Sequence, residues 1–277
     1  MIPQAFITRW SRGAPWPTDT QIEQDLILSR LIIDIAEHEL LGDEFAMRGG
    51  TCLHKLYLPV PARYSEDLDY VRRTRSAIGP YMTAVREVAT AIGLRERGYE
   101  QNWQMAHMVF DADPTSTLGR IRVKIETNVR EVDSFGERVT RPFTVESPWW
   151  SGAADIPTFS VEELMGTKLR ALYQRRKGRD LFDLWMVLTA LDPDDALIVD
   201  ALRHYIGDDI FGFADLAANL DAKLNDRDFR DDLAQLVARV PEGYELDAAA
   251  DLLMERLGAR LDGAPKLAAI RNAAWRQ

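Results

Sequence analysis

The sequence predicts an α+β fold, in which a mixed sheet with flanking helices is followed by a C-terminal helical bundle. In the first half of the 277 residues, short segments alternate between apolar and polar side chains, as expected for strands with one buried face. From Thr158 onward, apolar residues recur at helical spacing. The change falls between Pro148 and Pro157, in a stretch with Gly and Ala residues. We therefore expect two domains, residues 1–150 and 151–277.

The elements of both domains follow from these patterns. Thr20 and Glu23 fit a capping box at the start of a helical repeat that Gly42 ends. The predicted elements of the first domain are a helix at 18–41, a strand at 45–47, a short helix at 52–57, a strand at 68–71, a helix at 78–92, and strands at 102–110, 120–128 and 141–146. In the second domain, Ser160 and Glu163 form another capping box, and amphipathic helices follow.

Charge and composition exclude several classes of protein. The net charge of −10 argues against a protein that coats nucleic acid, but local binding is not excluded, because the distribution of charge matters more than its sum. The single cysteine, Cys52, rules out an intrachain disulfide and a cysteine-rich zinc site, and it fits a reducing cytoplasm. No apolar run is long enough to cross a bilayer, so we expect no membrane association.

The most informative feature is a pair of carboxylates that follows a glycine turn. Asp67 and Asp69 are two residues apart on a predicted strand, so their side chains point to the same face. Carboxylates on one face suit hard divalent cations, which take oxygen ligands. Gly49 and Gly50 allow close backbone approach, and Thr51 is expected to open a helix whose first amides face a phosphate. A nucleotidyltransferase holds a triphosphate and its metal ions in this way; an ordinary strand-to-helix turn is the alternative.

A third carboxylate is expected from a neighbouring strand. Glu126 is the only acid on the polar face of the alternating strand at 120–128. With Asp67 and Asp69 it would complete a two-metal Mg²⁺ site, which activates the attacking hydroxyl and steadies the leaving pyrophosphate. In the alternative interpretation, Glu126 pairs with Arg122 or Lys124 across the sheet surface.

Two pairs of motifs give the chain a resemblance to known families. Gly49-Gly50-Thr51 and Asp67-Leu68-Asp69 resemble the signature of the DNA polymerase β-type nucleotidyltransferase superfamily. In the second domain, Lys168-Leu169-Arg170 and Arg179-Asp180-Leu181-Phe182-Asp183-Leu184 are similar to motifs of the AbiEii/AbiGii toxin family of type IV toxin–antitoxin and abortive-infection systems, which includes the MenT toxins. The resemblance covers roughly residues 20–190.

The resemblance implies a function and a set of partners. Members of this family use Mg²⁺ and a nucleoside triphosphate, and the mycobacterial branch adds nucleotides, preferably the pyrimidines from CTP or UTP, to the tRNA 3′ acceptor end. Such addition blocks aminoacylation and growth. The resemblance also implies a cognate antitoxin, either AbiEi-like or of the kinase type. Asp67 and Asp69 match the metal ligands of the family, and Lys168 and Asp183 match its later essential positions, with Asp180 a near alternative.

Several further residues have both a functional and a structural interpretation. Lys168 lies in an apolar stripe, where it either reaches the triphosphate or extends its amine to water. Arg176 and Arg179 belong to a basic run that either binds phosphate or is a solvated face, and Asp183 is spaced to pair with Arg179. The remaining two candidates are Arg48, a triphosphate contact, and Ser65, which is either a phosphorylation site or the cap of a turn.

Three hypotheses for the function remain open at this point. The first is a toxin that transfers nucleotides to tRNA. The second is an enzyme of the same fold that modifies a protein or a small molecule, which the acidic net charge favours. The third is a catalytically silent module that binds nucleotide or RNA, which three carboxylates on one face argue against.

Overall fold

The chain forms two compact units in a computed structural model. The structure describes residues 2–115, 119–207, 209 and 211–262. The first unit holds residues 1–160 together with 236–238, and the second holds residues 161–235 and those from 239 on. The stretch expected to link two domains is therefore within the first unit, where Ser151–Thr158 is a strand.

The first unit contains five α-helices and seven strands in its described residues. In chain order they are α1 (Gln4–Trp10), α2 (Asp19–Glu37), α3 (Glu39–Glu44), β1 (Phe45–Arg48), α4 (Gly49–Cys52), β2 (Asp67–Arg72), α5 (Gly79–Ala91), β3 (Arg95–Gln101), β4 (Met105–Ala112), β5 (Ile121–Asn128), β6 (Val139–Glu146) and β7 (Ser151–Thr158). A π-helical turn, Leu53–Tyr57, continues α4. The glycine turn itself is thus the start of the helix, two residues before the predicted start at Thr51.

The main sheet is mixed, which confirms the predicted fold class. Its strand order is β1-β2-β5-β4-β3, with β2 and β5 parallel and the other pairs antiparallel. Ile121, Val123 and Ile125 on β5 are buried, as the alternation predicts. Strands β6 and β7 form a separate two-stranded sheet, and α2 packs against both β5 and β7.

Helix α2 is capped two residues earlier than the sequence suggested. The Thr18 side chain accepts a hydrogen bond from the Gln21 amide, and the Gln21 side chain accepts one from the Thr18 amide, which completes a capping box. Thr20 lies inside the helix. Glu23 is buried and accepts a hydrogen bond of 2.9 Å from the Thr115 amide. The predicted Thr20–Glu23 box is therefore wrong, because Glu23 bonds to a distant segment.

The second unit is helical. Its described elements are α6 (Val161–Gln174), α7 (Gly178–Ala190), α8 (Asp195–Ile206), α9 (Phe213–Leu224), α10 (Arg227–Asp231), α11 (Leu246–Arg256) and a 3₁₀ turn (Gly258–Arg260). Helices α6 and α8 meet closely at Gly166, where a Cβ atom would lie 2.7 Å from the Leu202 nitrogen. In the described ranges of the chain, no helix is long and apolar enough to span a membrane.

Candidate active site

Strand register places the predicted carboxylates side by side on one face of the main sheet. Asp69 on β2 is the direct partner of Glu126 on the parallel strand β5, so the two side chains share a face. Asp67 lies two residues earlier on the same face, opposite Lys124. The row continues in both directions, to Arg48 on β1 and to His107 on β4. The sequence did not place His107 in this row, because its position there depends on strand pairing.

The glycine turn brings the backbone against Asp69. Gly49 has a φ of +83°, which L side chains rarely adopt, and a Cβ there would lie 2.2 Å from the Asp69 Oδ2 atom. A Cβ on Gly50 would lie 2.3 Å from the Nη2 atom of Arg63, a buried residue that the sequence did not indicate. A side chain at Gly49 would have to displace Asp69, and a side chain at Gly50 would have to displace the end of the Arg63 side chain.

Thr51 and Ser65 join the glycine turn to the strand that carries the carboxylates. The buried Thr51 hydroxyl donates to the Asp67 carbonyl oxygen at 2.6 Å, and its oxygen lies 2.8 Å from Ser65 Oγ. This contact holds the start of β2 against the helix that follows Gly49. Ser65 therefore has a structural contact at this position.

Lys124 stands among the carboxylates. Its Nζ atom lies 2.6 Å from the Glu126 Oε1 atom, so the pairing considered as the alternative for Glu126 is present. Burial works to lower the pKa of Lys124, but the hydrogen bond with Glu126 and the charges of Glu126, Asp67 and Asp69 raise it above its ordinary value. The amine is thus held charged within the acidic group.

The three carboxylates offer the donors that Mg²⁺ prefers, on adjacent strands and one face. Across the described part of the chain, however, no three acidic, histidine or cysteine side chains are arranged to hold a metal ion. Glu126 is turned to Lys124. The three carboxylates therefore have the chemistry and the strand positions of a metal site. In this structure the positive charge beside Glu126 comes from Lys124.

Arg48 pairs with an acid close to this site. Its Nη1 atom lies 3.5 Å from the Glu131 Oε2 atom, and Arg48 itself is the register partner of Asp69. The guanidinium is thus anchored next to the carboxylates, on the strand that leads into the glycine turn.

The predicted residues of the second unit form a buried ion-pair network. The Lys168 Nζ atom lies 2.9 Å from Asp183 Oδ2 and 3.2 Å from Asp180 Oδ1, and all three side chains are buried. Arg175, which the sequence placed in the basic run as a phosphate contact, donates to both oxygens of Asp180 at 2.7 and 2.9 Å. The Lys168 amine is therefore paired with carboxylates, and does not extend to water as the alternative interpretation proposed.

The network stabilises the charged form of Asp180. Burial works to raise the pKa of Asp180, but the charges of Lys168 and Arg175 and the hydrogen bond with Arg175 outweigh it and lower the pKa below its ordinary value. Asp180 can thus remain ionised in the interior because Lys168 and Arg175 face it.

Acids of the second unit partly neutralise the basic run. Arg176 lies 3.3 Å from Asp226, while Lys177 and Arg179 lie 3.9 and 3.6 Å from Asp232. The Arg179 amide also donates to Asp232 at 3.1 Å. The partner expected for Arg179 was Asp183, but the two side chains form their ion pairs with Asp232 and Lys168, respectively.

Cys52 is a structural residue. It is fully buried, its Sγ atom lies 3.1 Å from the Thr158 hydroxyl, and burial raises the pKa of the thiol to about 12. A thiol of this kind is held in its neutral, unreactive form.

A glycine turn followed by paired carboxylates on a mixed sheet is typical of nucleotidyltransferases, and comparison with known proteins shows that class. Residues 30–256 match the model of the nucleotidyl transferase AbiEii toxin of type IV toxin–antitoxin systems, and the chain belongs to this family. The recognised family, the fold class and the enzyme class predicted from the sequence are thereby confirmed. No significant match is found among curated protein sequences.

Two solved structures show the same fold. The structure is similar to MenT4, a nucleotidyltransferase toxin from Mycobacterium tuberculosis H37Rv, with 18% identity, a TM-score of 0.64, and coverage of 96% of this chain and 91% of that chain. It is also similar to JHP933 from Helicobacter pylori, with 16% identity, a TM-score of 0.55, and coverage of 93% and 99%, respectively. At these identities the likeness concerns the fold.

Proposed function

We propose that this toxin transfers a nucleotide from a Mg²⁺-bound nucleoside triphosphate to the 3′ acceptor end of tRNA, and thereby blocks aminoacylation and growth. The observation that carries the proposal is the register of β2 and β5, which sets Asp67, Asp69 and Glu126 on one face beside the Gly49 turn. CTP or UTP is the proposed donor, by the family resemblance. The type IV family implies a cognate antitoxin.

The first unit supplies the metal ligands and the approach to the triphosphate. Asp67, Asp69 and Glu126 would hold the ions, and when bound, Mg²⁺ neutralises oxygen charge on the triphosphate. Gly49 and Gly50 give the backbone close access, and Thr51 fixes the turn to β2. Arg48 is proposed as a further phosphate contact from the neighbouring strand.

The second unit supplies the other proposed residues. Lys168 and Asp183 are proposed as catalytic, with Asp180 and Arg175 fixing the lysine in place. Arg176 and Arg179 are proposed to contact the nucleotide or the RNA backbone. Their acidic partners, Asp226 and Asp232, would then exchange with phosphate.

Ser65 is proposed as the point at which the antitoxin acts. Its hydroxyl contacts Thr51 and lies two residues before Asp67. Phosphorylation would add a charge of about −2 beside the carboxylates and remove the contact with Thr51. A switch at Ser65 would require an antitoxin of the kinase type, whereas an AbiEi-like antitoxin would act by another route. A cytoplasmic location is proposed for both proteins.

One transfer assay tests the proposal. The protein is incubated with Mg²⁺, each labelled nucleoside triphosphate in turn and total tRNA, and the products are separated on a denaturing gel. Asp69→Asn keeps the volume of the side chain but removes a proposed metal ligand, so we expect transfer to fall by roughly 1,000-fold, or about 4 kcal/mol of transition-state stabilisation. Asp155→Asn, the same change at an exposed position of β7, should leave transfer unchanged.

The destination of the label separates the hypotheses. Label on tRNA that is lost in Asp69→Asn supports the proposal and identifies the nucleotide. Label on protein or on small molecules would retain the enzyme class and refute tRNA as the substrate. No incorporation into any acceptor would point to the silent module.

A further inference from the structure

A tryptophan is displayed on the surface at the turn between β3 and β4. Trp103 is 66% exposed, although tryptophan is on average a highly buried residue. The guanidinium carbon of Arg130 lies 4.2 Å from the centroid of its ring, which is the geometry of a cation–π contact. The pair therefore presents an aromatic surface and a positive charge to solvent at the same point.

The turn that carries Trp103 is fixed by hydrogen bonds on both sides. The Asn102 side-chain oxygen accepts bonds from the amides of Gln104 and Met105 at 2.8 and 2.9 Å. The Gln104 carbonyl accepts a bond of 2.9 Å from the Val129 amide, just after β5. An aromatic side chain on a fixed turn loses less entropy on binding than one on a mobile loop.

The segment that carries Arg130 also leads to the carboxylate site. The Asn128 side-chain oxygen accepts bonds from the Arg130 and Glu131 amides at 2.9 and 2.8 Å, and Glu131 pairs with Arg48. Arg48 is in turn the register partner of Asp69. Arg130 is four residues beyond Glu126, so their Cα atoms are at most about 14 Å apart. A span of that length holds at most about four stacked nucleotides at roughly 3.4 Å each.

We propose that Trp103 and Arg130 bind an unpaired nucleobase near the 3′ end of the acceptor RNA. This site rests on the proposed function, because the RNA end must lie at the carboxylates. Every base has a π-face that stacks on an indole ring, and Arg130 adds charge that favours a phosphate-bearing ligand. A purely apolar partner would not use the arginine, which favours nucleic acid over a hydrophobic protein surface. The site would position the strand without selecting its sequence.

RNA binding without chemistry tests this site. Two labelled RNA hairpins are compared by fluorescence anisotropy in the absence of nucleotide, one with a four-nucleotide single-stranded 3′ tail and one with a blunt end. Trp103→Ala should weaken binding of the tailed RNA by about 5- to 150-fold, because one stacked base is lost. Trp103→Phe should stay within about threefold of the wild type, since a ring remains. The blunt RNA should bind all three proteins alike.

Tyr99→Ala is the matched control. Tyr99 is a partly exposed aromatic residue of the same hairpin, but it pairs with the buried Met108 and so lies on the sheet face opposite to His107. Equal weakening by Tyr99→Ala and Trp103→Ala would show damage to the hairpin and overturn the proposal. An unchanged Kd for the tailed RNA in Trp103→Ala would also overturn it, but would leave the proposed function intact. If the wild type binds neither RNA, the choice of RNA as substrate fails, and the stacking site fails with it.

Discussion

At the scale of single residues, the site depends on two glycines as much as on its charged side chains. Gly49 and Gly50 lie against Asp69 and Arg63 at distances that no Cβ atom could occupy. The carboxylate of Asp69 therefore packs directly on the backbone of the turn. Any larger residue at Gly49 would have to move Asp69, which is the register partner of Glu126.

Replacement of Gly49 should cost more than its backbone conformation alone. In Gly49→Ala, the φ of +83° costs about 1–2 kcal/mol and the clash with Asp69 about 1–3 more, so the free energy of unfolding should fall by about 2–5 kcal/mol. Gly93 is the control, because its φ is +87° and a Cβ atom there would meet no other atom within 4 Å. Denaturant titration of Gly93→Ala should show only the first cost. Equal losses in the two variants would refute the contact with Asp69.

Lys124 is expected to weaken metal binding, because its charged amine competes with a metal ion for Glu126. In Lys124→Met, the loss of this cation should tighten binding of Mn²⁺ or Mg²⁺ by about 5- to 30-fold, corresponding to roughly 1–2 kcal/mol at an effective dielectric constant of about 20. Calorimetric titration without nucleotide measures the change. Arg122→Met removes an exposed cation from the same face of β5 and controls for net charge. Equal tightening in both variants would show a general charge effect and count against competition at Glu126.

At the scale of secondary-structure elements, α6 and α7 are joined by charges in the interior of the second unit. Removing one partner of a buried ion pair leaves an unpaired charge, so Lys168, Asp180 and Asp183 depend on one another.

Another buried lysine caps the C-terminal end of α6. The Lys223 amine donates to the carbonyl oxygens of Leu172 and Tyr173, which have no partner within the last turn of that helix.

The network predicts a pH dependence of stability. The pKa of Asp180 is lower in the folded state than its ordinary value of 3.8, so its stabilising effect is complete above that pH and is lost as pH falls below it. Arg175→Gln should therefore reduce the free energy of unfolding by about 1–2 kcal/mol at pH 7, allowing for the half-exposed arginine. The difference from the wild type should shrink below about pH 4.

The neighbouring arginine provides the comparison for this measurement. Arg176 is 68% exposed and pairs with Asp226, so Arg176→Gln should change stability by less than about 0.5 kcal/mol at any pH. Denaturant titrations between pH 3 and 7 measure the free energy of unfolding of both variants and of the wild type. A constant difference for Arg175→Gln across this range would contradict the role assigned to Asp180.

The secondary-structure elements also show which parts of the fold can be predicted from the local sequence. The alternation on β5 revealed both its buried face and Glu126, because each depends on a period of two. Strand β3 was missed because all seven of its residues are exposed, so it has no apolar face. Strand β7 was missed because Gly, Ala and Pro in a strand resemble a linker. Pairing with β6 outweighs that local preference.

At the scale of the whole molecule, contacts between residues far apart in the sequence decide what local patterns do not. Residues 236–238 belong to the first unit, where the Leu236 carbonyl accepts a bond of 2.7 Å from the Tyr64 amide, one residue before Ser65. A cut after residue 160 would therefore remove part of the first unit. The chain beyond residue 190 carried no recognised motif, yet it contributes Asp226 and Asp232, which face the basic run.

The buried thiol of Cys52 makes the whole chain well suited to site-selective chemical labelling. With a pKa of about 12, only about one Cys52 molecule in ten thousand would be a thiolate at pH 8 even if reagent could reach it. A cysteine introduced at a solvent-facing position such as Val60, which is 64% exposed, would be about one quarter thiolate at that pH. A single fluorophore could thus be attached at that position, and binding of the toxin to its antitoxin or to the proposed RNA substrate could be followed.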